Sequence, residues 1–371
     1  MSSRNFRVGI AGAGLRSAAL AKALQGEPRT TLVAVHDPLS EAREQFARAH
    51  DVETTCETFD ELLDCVDIVL LVSPQHHHAP QAIAALERGI HVLSEVPAAV
   101  SLEQSQALVA AARSSSALYG MAENERWFAP HLVARGLARN GSFGELYYGE
   151  SDYVQNARAQ LHTDDGTPTW KALWWTGRDG NTYPTHSLGP ILACFEDRIV
   201  AVCCSGAGRH SGYELQSTTV LLARTVKGGL IRVRFEWLSN TPPHYKWAMQ
   251  GTQGGYFLEI APRSKATSGV HLQGRSEARV WDPVEGFTAD HLPARYRRPP
   301  ADADPFGLGY ADAWMLQDFV DSIEAHEAFD VDVYTALDLT LPGLAAETSI
   351  AQDGSWVHVP NPRAFTAGIG S

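Results

Sequence analysis

The sequence predicts an α/β protein: an N-terminal doubly wound parallel sheet, then an α+β domain with a large, mostly antiparallel, open-faced sheet. Three observations predict it. Apolar runs of strand length alternate with helical stretches through residues 1–124, the pattern of βαβ units and a parallel sheet. Segments of alternating polarity then follow one another between residues 146 and 260, as antiparallel strands do when one face is packed and the other is not. Finally, 371 residues exceed what one ordinary core holds, so two domains are expected, 1–124 for dinucleotide binding and 125–371 for substrate and oligomer contacts.

The first element is the strand Phe6-Arg7-Val8-Gly9-Ile10-Ala11, followed by the turn Gly12-Ala13-Gly14 and a helix that starts at Leu15-Arg16-Ser17. Gly12 permits the tight turn, and Gly14 lets phosphates approach the backbone where helix-start amides and the helix dipole favour an anion. Ser17 stands where the third glycine of the dinucleotide fingerprint would be. A second strand, residues 31–36, ends at Asp37, 23 residues beyond Gly14. A carboxylate there accepts both ribose hydroxyls and repels a 2′-phosphate, which predicts a Rossmann-type site selective for NAD over NADP.

Helical stretches at 40–49 and 58–63 precede the apolar run 65–72, a central strand whose carboxyl end, Ser73-Pro74, falls beside the cofactor crevice. A helix is expected to open at Ala79-Pro80, with Pro80 in its first turn, and to run to about residue 88. Strand 91–94 ends at Glu95-Val96-Pro97, a helix capped by Ser101 runs to about 113, and 118–123 is the last strand of this half. Beyond a helix at 128–139, strands are expected at 146–153, 199–204, 217–224, 229–237, 244–251 and 255–260, with Gly228-Gly229 as a hairpin turn. Helices return at 311–325 and 333–349 and are placed to pack back on the first domain. Residues 262–308, rich in Pro, Arg, Asp and Gly, read as a long functional loop or irregular excursion.

Composition excludes several classes. Apolar residues at 44% and charged residues at 20% are those of a soluble globular chain. A formal charge of −13 with no long basic run excludes nucleic acid as partner, and the cluster Arg295, Arg297, Arg298 is too small to change that. No run approaches the roughly eighteen apolar residues of a membrane span, and Met1 to Asn5 lead into the first strand without a signal peptide's apolar region, so the cytoplasm is expected. The five cysteines Cys56, Cys65, Cys194, Cys203 and Cys204 form no C-x-x-C pair and suit reduced thiols. His76-His77-His78 are adjacent and lack a carboxylate or Cys at ligand spacing, so no metal is expected. The open sheet face is expected to be too apolar for water, which predicts a homodimer or homotetramer.

The glycine loop, Ser73-Pro74-x-x-x-His78, Glu95-x-Pro97 and a following open-sheet domain together resemble the Gfo/Idh/MocA oxidoreductase superfamily across nearly the whole chain. Its sugar dehydrogenases carry Glu-Lys-Pro, with the lysine in proton transfer; here Val96 takes that place and can carry no proton. Gly180-Asn181-Thr182-Tyr183-Pro184-Thr185-His186-Ser187-Leu188-Gly189-Pro190, with Glu95-Val96-Pro97-Ala98-Ala99 and Met121-Ala122-Glu123-Asn124, is similar instead to the NAD-dependent glycosidases. These are glycoside hydrolase family 109, the α-N-acetylgalactosaminidases, and family 188, the sulfoquinovosidases.

The resemblance implies that hydride leaves C3 of the sugar for NAD, that the C3 ketone acidifies the C2 proton, and that a base removes it. The C1 substituent is then eliminated, water adds to the enone, and the hydride returns. It implies that Ser73, Pro74, His78, Glu95, Val96 and Asn124 join the loop residues at the cofactor, and that Arg16 helps hold the pyrophosphate. Glu123, Tyr153, Tyr183 and His186 would line the sugar pocket, with His186 moving the proton at C3, Tyr183 that at C2, Tyr153 assisting the leaving group and Glu123 as a relay carboxylate. As residue types alone, the tyrosines and histidine suit core positions as well as a site. Trp170, Trp174 and Trp175 can supply an apolar plane for a sugar, and Lys171 and Arg178 can hold a sulfonate or stand equally well as solvated surface charges. Family 109 chains tend to be longer and exported, so a chain of this length with no signal is expected to take an α-sulfoquinovoside rather than an N-acetylgalactosaminide. The competing readings are an ordinary NAD-dependent sugar or inositol dehydrogenase, disfavoured by Val96, and a non-catalytic NAD-binding regulator.

Overall fold

The computed structural model describes residues 5–261, 266–297 and 310–366, which belong to two compact units. The first comprises residues 1–128, 296–337 and 362–371, the second 129–295 and 338–361.

The N-terminal unit alternates β1 (Phe6–Ala11), α1 (Leu15–Leu24), β2 (Thr30–His36), α2 (Ser40–His50), β3 (Thr54–Cys56), α3 (Phe59–Cys65), β4 (Ile68–Leu71), α4 (Gln75–Glu87), β5 (His91–Ser94), α5 (Leu102–Ser114) and β6 (Tyr119–Met121). The strands make one parallel sheet in the order β3-β2-β1-β4-β5-β6. All four residues of β4 are buried, as a central strand covered on both faces requires. Thr58 and Glu61 form a capping box that starts α3, and Ser101 caps α5 through the amide of Gln104.

Helix α4 opens at Gln75, one turn before the expected start, and Pro80 lies inside it. Proline leaves the His76 carbonyl without its usual helical donor; Gln104 Nε2 donates to that carbonyl at 3.4 Å instead.

The C-terminal unit holds α6 (Ala129–Arg139), β7 (Leu146–Val154), α7 (Trp170–Leu173), α8 (Thr185–Phe195), β8 (Ile199–Gly206), β9 (Thr219–Thr225), β10 (Leu230–Glu236), β11 (His244–Gly251), β12 (Gly254–Ile260), β13 (Thr267–Leu272) and α9 (Thr288–His291). Beyond it in the chain come α10 (Ala311–Ala325), which packs on α1 in the first unit, α11 (Val333–Ala351) and β14 (Val357–His358). Eight strands form a sheet in the order β13-β12-β11-β7-β10-β9-β8-β14, and only the β7–β10 pair is parallel. The β9–β10 hairpin turns at Gly228, whose φ is +94°.

One stretch differs from the expectation, and a second forms an element for which none was stated. Of the supposed excursion 262–308, residues 262–265 and 298–308, Arg298 among them, lie outside the described residues. The remainder carries β13 and α9, because Thr267–Leu272 pairs with β12 although its own sequence is polar and short. Residues 185–195, which hold Gly189 and Pro190, form a helix whose eleven residues are all buried; tertiary packing outweighs the two helix breakers.

The open sheet face carries charged pairs as well as apolar residues. Gly149 looks towards α8, so alternation turns Tyr148, Glu150 and Asp152 to the other face. There Arg232 pairs with Asp152 at 2.7 Å and Glu150 at 3.4 Å, Lys246 with Glu150 at 2.6 Å, and Arg234 with Glu236 at 3.0 Å. These charged pairs share the face with apolar residues, among them Val220 and Leu222, which lie opposite Arg234 and Arg232 on the neighbouring strand.

Candidate active site

In the N-terminal unit the turn after β1 is built as a phosphate cradle. Gly12 has φ +102°, and a Cβ there would lie 2.7 Å from the carbonyl oxygen of Val72, so glycine is required. At Gly14 an added Cβ would meet nothing within 4 Å, which leaves open space in front of the backbone. The buried Ser17 hydroxyl donates to Gly12 O at 2.6 Å and clamps the turn from the place of the missing third glycine. Among the described residues, the amides of Gly14, Leu15 and Arg16 donate to no protein acceptor. Three unclaimed donors at the start of a ten-residue helix, beside open space, fit a dinucleotide pyrophosphate. Asp37 is oriented by two amides, Ala13 N to Oδ2 and Leu39 N to Oδ1, each at 2.9 Å.

The other expected cofactor-side residues surround the carboxyl ends of β4, β5 and β6. Ser73 Oγ donates to Gln81 Oε1 at 2.5 Å, and Pro74 precedes α4 as its N-cap. His78 is buried between the carbonyls of Ser73 and Pro97, at 2.8 and 2.9 Å, and burial pushes its pKa below the ordinary histidine value despite their pull. His76 and His77 stack at 4.1 Å, and among the described residues no three His, Cys, Asp or Glu side chains converge as metal ligands. Val96 is buried and apolar, and Glu123 is fully buried just after β6.

Arg16 does not stand open to a phosphate. Its Nε donates to Glu95 Oε1 at 2.5 Å, and its two Nη atoms fork onto Asp312 at 2.5 and 2.7 Å. Asn124 Nδ2 donates to the same Asp312 at 2.9 Å. Burial opposes the guanidinium's charge, but Asp312 and Glu95 outweigh it and hold the pKa above the usual arginine value.

The C-terminal unit gathers a second set around the start of α8. Tyr183 Oη and His186 Nε2 are 3.1 Å apart, and Trp247 Nε1 donates to the His186 carbonyl at 3.0 Å, anchoring the helix start to β11. The Tyr153 ring lies 5.6 Å from that of His186 and 6.0 Å from that of Tyr183. Trp175, Phe235, Trp237 and Tyr245 complete an aromatic wall: Trp175 and Trp237 meet edge to face at 4.0 Å, and Tyr183 is 5.6 Å from Trp237. A phenol and an imidazole in hydrogen-bond contact can pass a proton between them. The helix start adds a field that favours negative charge developing on a nearby oxygen.

The two expected cations behave differently. Arg178 forks onto Glu347 at 2.7 and 2.6 Å and covers the Trp174 ring at 5.1 Å, so its charge is met within the protein. Lys171 is held by the neutral Gln160 and lies 5.7 Å from the ring centres of both Trp170 and Trp237. It pairs with no carboxylate among the described residues, and burial lowers its pKa to about 8. Sequence reasoning missed Trp237, Phe235 and Asp312. The first two sit at alternate positions running off β10, a signal the strand pattern carried; Asp312 lies 296 residues from Arg16 and had no local signal.

Residues 6–123 match the oxidoreductase family Gfo/Idh/MocA, NAD-binding Rossmann fold, and residues 210–369 match the glycosyl hydrolase 109 C-terminal domain. A glycosyl hydrolase family 109 protein of Shewanella putrefaciens is 29% identical over 332 residues, covering 82% of this chain and 70% of that one. An alpha-N-acetylgalactosaminidase of Shewanella oneidensis is 28% identical over 340 residues, 84% of this chain and 72% of that one. Among solved structures, a levoglucosan dehydrogenase in complex with NADH and L-sorbose superposes with a TM-score of 0.81 at 20% identity, covering 97% of this chain and all of that one. A scyllo-inositol dehydrogenase from Lactobacillus casei gives 0.72 at 18% identity, with 97% and 99% covered. These two likenesses are of fold. No helix of the described residues is long and apolar enough to cross a membrane.

The cradle generates one expectation. Gly12→Ala places a methyl against Val72 O and strains a positive φ, so NAD affinity should fall at least about tenfold while the far-ultraviolet circular dichroism stays native. A calorimetric titration with unchanged affinity would show that the turn does not receive the cofactor.

Proposed function

We propose a substrate and a chemistry for a chain that, by its Gfo/Idh/MocA NAD-binding domain and its glycosyl hydrolase 109 C-terminal domain, belongs to the NAD-dependent glycosidases of family 109 type. It cleaves an α-glycoside without net redox change, and its best substrate is an α-sulfoquinovoside. One observation carries the choice of sugar: Lys171, an ammonium with no acid partner among the described residues, is set against Trp237, whose ring also flanks Tyr183. A sulfonate supplies the missing negative charge, and the indole faces supply an apolar plane for the sugar ring. Arg178, already neutralised by Glu347, is left out of that role.

When bound, NAD supplies a reversible acceptor for hydride at C3, which makes the neighbouring C2 proton acidic. The chain's own residues handle the protons. His186 Nε2 takes the proton of the C3 hydroxyl and Tyr183 Oη, as the phenolate, that of C2; each gives its proton back, to the C3 oxygen when the hydride returns and to C2 when water adds, and their 3.1 Å contact keeps the two groups in register. Tyr153, whose ring lies tilted 5.6 Å from that of His186, assists the leaving group by giving it a proton and recovers one from the water that adds. Val96 offers no proton-transfer group at the end of β5, which fits a cycle that ends where it began rather than one that releases reduced cofactor. The α-N-acetylgalactosaminide reading uses the same residues and is favoured by the name of the Shewanella oneidensis relative.

Incubation with p-nitrophenyl α-sulfoquinovoside should release nitrophenol with no net NADH absorbance, and hydrolysis in deuterated water should label C2. Release from the N-acetylgalactosaminide alone would transfer the assignment to that sugar, whereas steady NADH without cleavage would make the protein a dehydrogenase. His186→Ala should lower kcat by about 10²-fold or more with NAD affinity unchanged; equal loss of both would make the residue structural.

Lys171 gives a pH signature. With its pKa lowered to about 8, it is charged below that pH and neutral above it. KM for the sulfonated glycoside should therefore rise as pH passes upward through about 8, and Lys171→Met should raise KM roughly tenfold or more at neutral pH. A neutral glycoside should show neither effect, and equal effects on both substrates would remove the sulfonate from this lysine.

A further inference from the structure

Strand β7 carries Tyr153 on the face turned to α8 and ends at Val154, but the chain beyond it stays zipped to the continuation of β10. Gln155 N donates to Glu236 O at 2.7 Å, Ser239 N to Gln155 O at 2.8 Å, and Ala157 N to Trp237 O at 3.1 Å. The main chain of Gln155 is therefore held through both its amide and its carbonyl. Its side chain, two residues beyond Tyr153, emerges on the same face, where Gln155 Nε2 donates to Tyr153 Oη at 3.3 Å. The phenol ring is buried beside Phe235, at 6.3 Å, and Tyr245, at 5.0 Å. Aromatic neighbours fix where the ring lies, and the amide adds a directed contact at its oxygen.

We propose that Gln155 is a positioning residue for the leaving-group proton: its amide N–H holds Tyr153 Oη so that the phenol's own proton is turned to the departing oxygen, and it steadies the phenolate left behind. This rests on the reading of Tyr153, given above, as the group that assists departure. In that step the C1–O bond breaks, its electron pair passes to the aglycone oxygen, and that oxygen takes the Tyr153 proton. When water adds, its oxygen bonds to C1 and its proton restores the phenol. An N–H···O bond strengthens as the acceptor gains negative charge, so the amide stabilises the phenolate, and the transition state leading to it, more than the resting phenol. Catalytic hydrogen bonds of this length tighten as that charge develops. A group able only to accept would do the opposite, drawing the phenol's proton to itself and away from the aglycone.

The test compares two aglycones on whichever α-glycoside the full chain cleaves with NAD present: p-nitrophenyl, which departs without help, and methyl, which needs a proton. The proteins are the native chain, Tyr153→Phe, Gln155→Leu, Gln155→Glu and the double variant Tyr153→Phe/Gln155→Leu. Gln155→Leu keeps every main-chain bond named above. It should lower kcat on the methyl glycoside roughly tenfold or more and kcat on the p-nitrophenyl glycoside much less, with NAD affinity unchanged. Gln155→Glu should be impaired on the methyl glycoside at least as much. In the Tyr153→Phe background, Gln155→Leu should add nothing to the discrimination between aglycones. Because departure alone is slowed, methyl glycoside recovered unreacted from deuterated water should carry more deuterium at C2 with Gln155→Leu than with the native chain, an effect that a loosened site would not produce. Equal losses on both aglycones, or native activity of Gln155→Glu, overturn the proposal, and Tyr153 keeps its role if Tyr153→Phe still discriminates against methyl. If Tyr153→Phe does not discriminate, or the native chain cleaves no α-glycoside, the reading of Tyr153 is refuted and the proposal falls with it.

Discussion

The C-terminal unit depends on one close approach. Gly149 on β7 has no side chain, and the space a Cβ would take lies 2.8 Å from Ile191 Cγ2, so α8 can settle directly on the sheet. Every one of its eleven residues is buried as a result, and that burial, not helix propensity, keeps a segment with Gly189 and Pro190 helical. The same contact fixes the helix start. The carbonyl of His186 reaches the indole of Trp247, and the imidazole reaches the hydroxyl of Tyr183. A bulkier residue on β7 would lift the helix and move the Tyr183–His186 pair away from the sheet.

Charge is managed in three distinct ways. On the open sheet face, Arg232, Lys246 and Arg234 are each matched by acids across or along the strands, an arrangement that contributes little individually. Around Arg16 two carboxylates, Glu95 and Asp312, share one guanidinium. At Lys171 the matching falls short, with an amide and two indole faces in place of an acid. Matched pairs serve the fold. The ammonium of Lys171 meets no carboxylate among the described residues.

Much of the first unit could be read directly. The buried strand and glycine turn at residues 6–14, Asp37 and the apolar run 65–72 each depend on local physics: a positive φ that only glycine tolerates well, a carboxylate at a strand end, and a run short enough to cross a sheet once. Ser17 was legible as a departure from the fingerprint but not as its remedy, since its bond to Gly12 O needs the folded turn. Residues 185–195 were legible as a motif and not as a helix, because glycine and proline signal a break that only burial overrides.

The sequence by itself determined the alternation of strands and helices and the glycine cradle, because those rest on periodicity and on side-chain chemistry within short spans of chain. Tertiary structure alone decided which cations are spent and which are left over. Lys171 and Arg178 look alike in the chain, yet Glu347, 169 residues from Arg178, neutralises one of them and no acid among the described residues meets the other. Likewise strand alternation shows that Glu150 and Asp152 share a face, but only registry brings Arg232 opposite them. Electrostatic partnership depends on distance in space, which sequence separation does not encode.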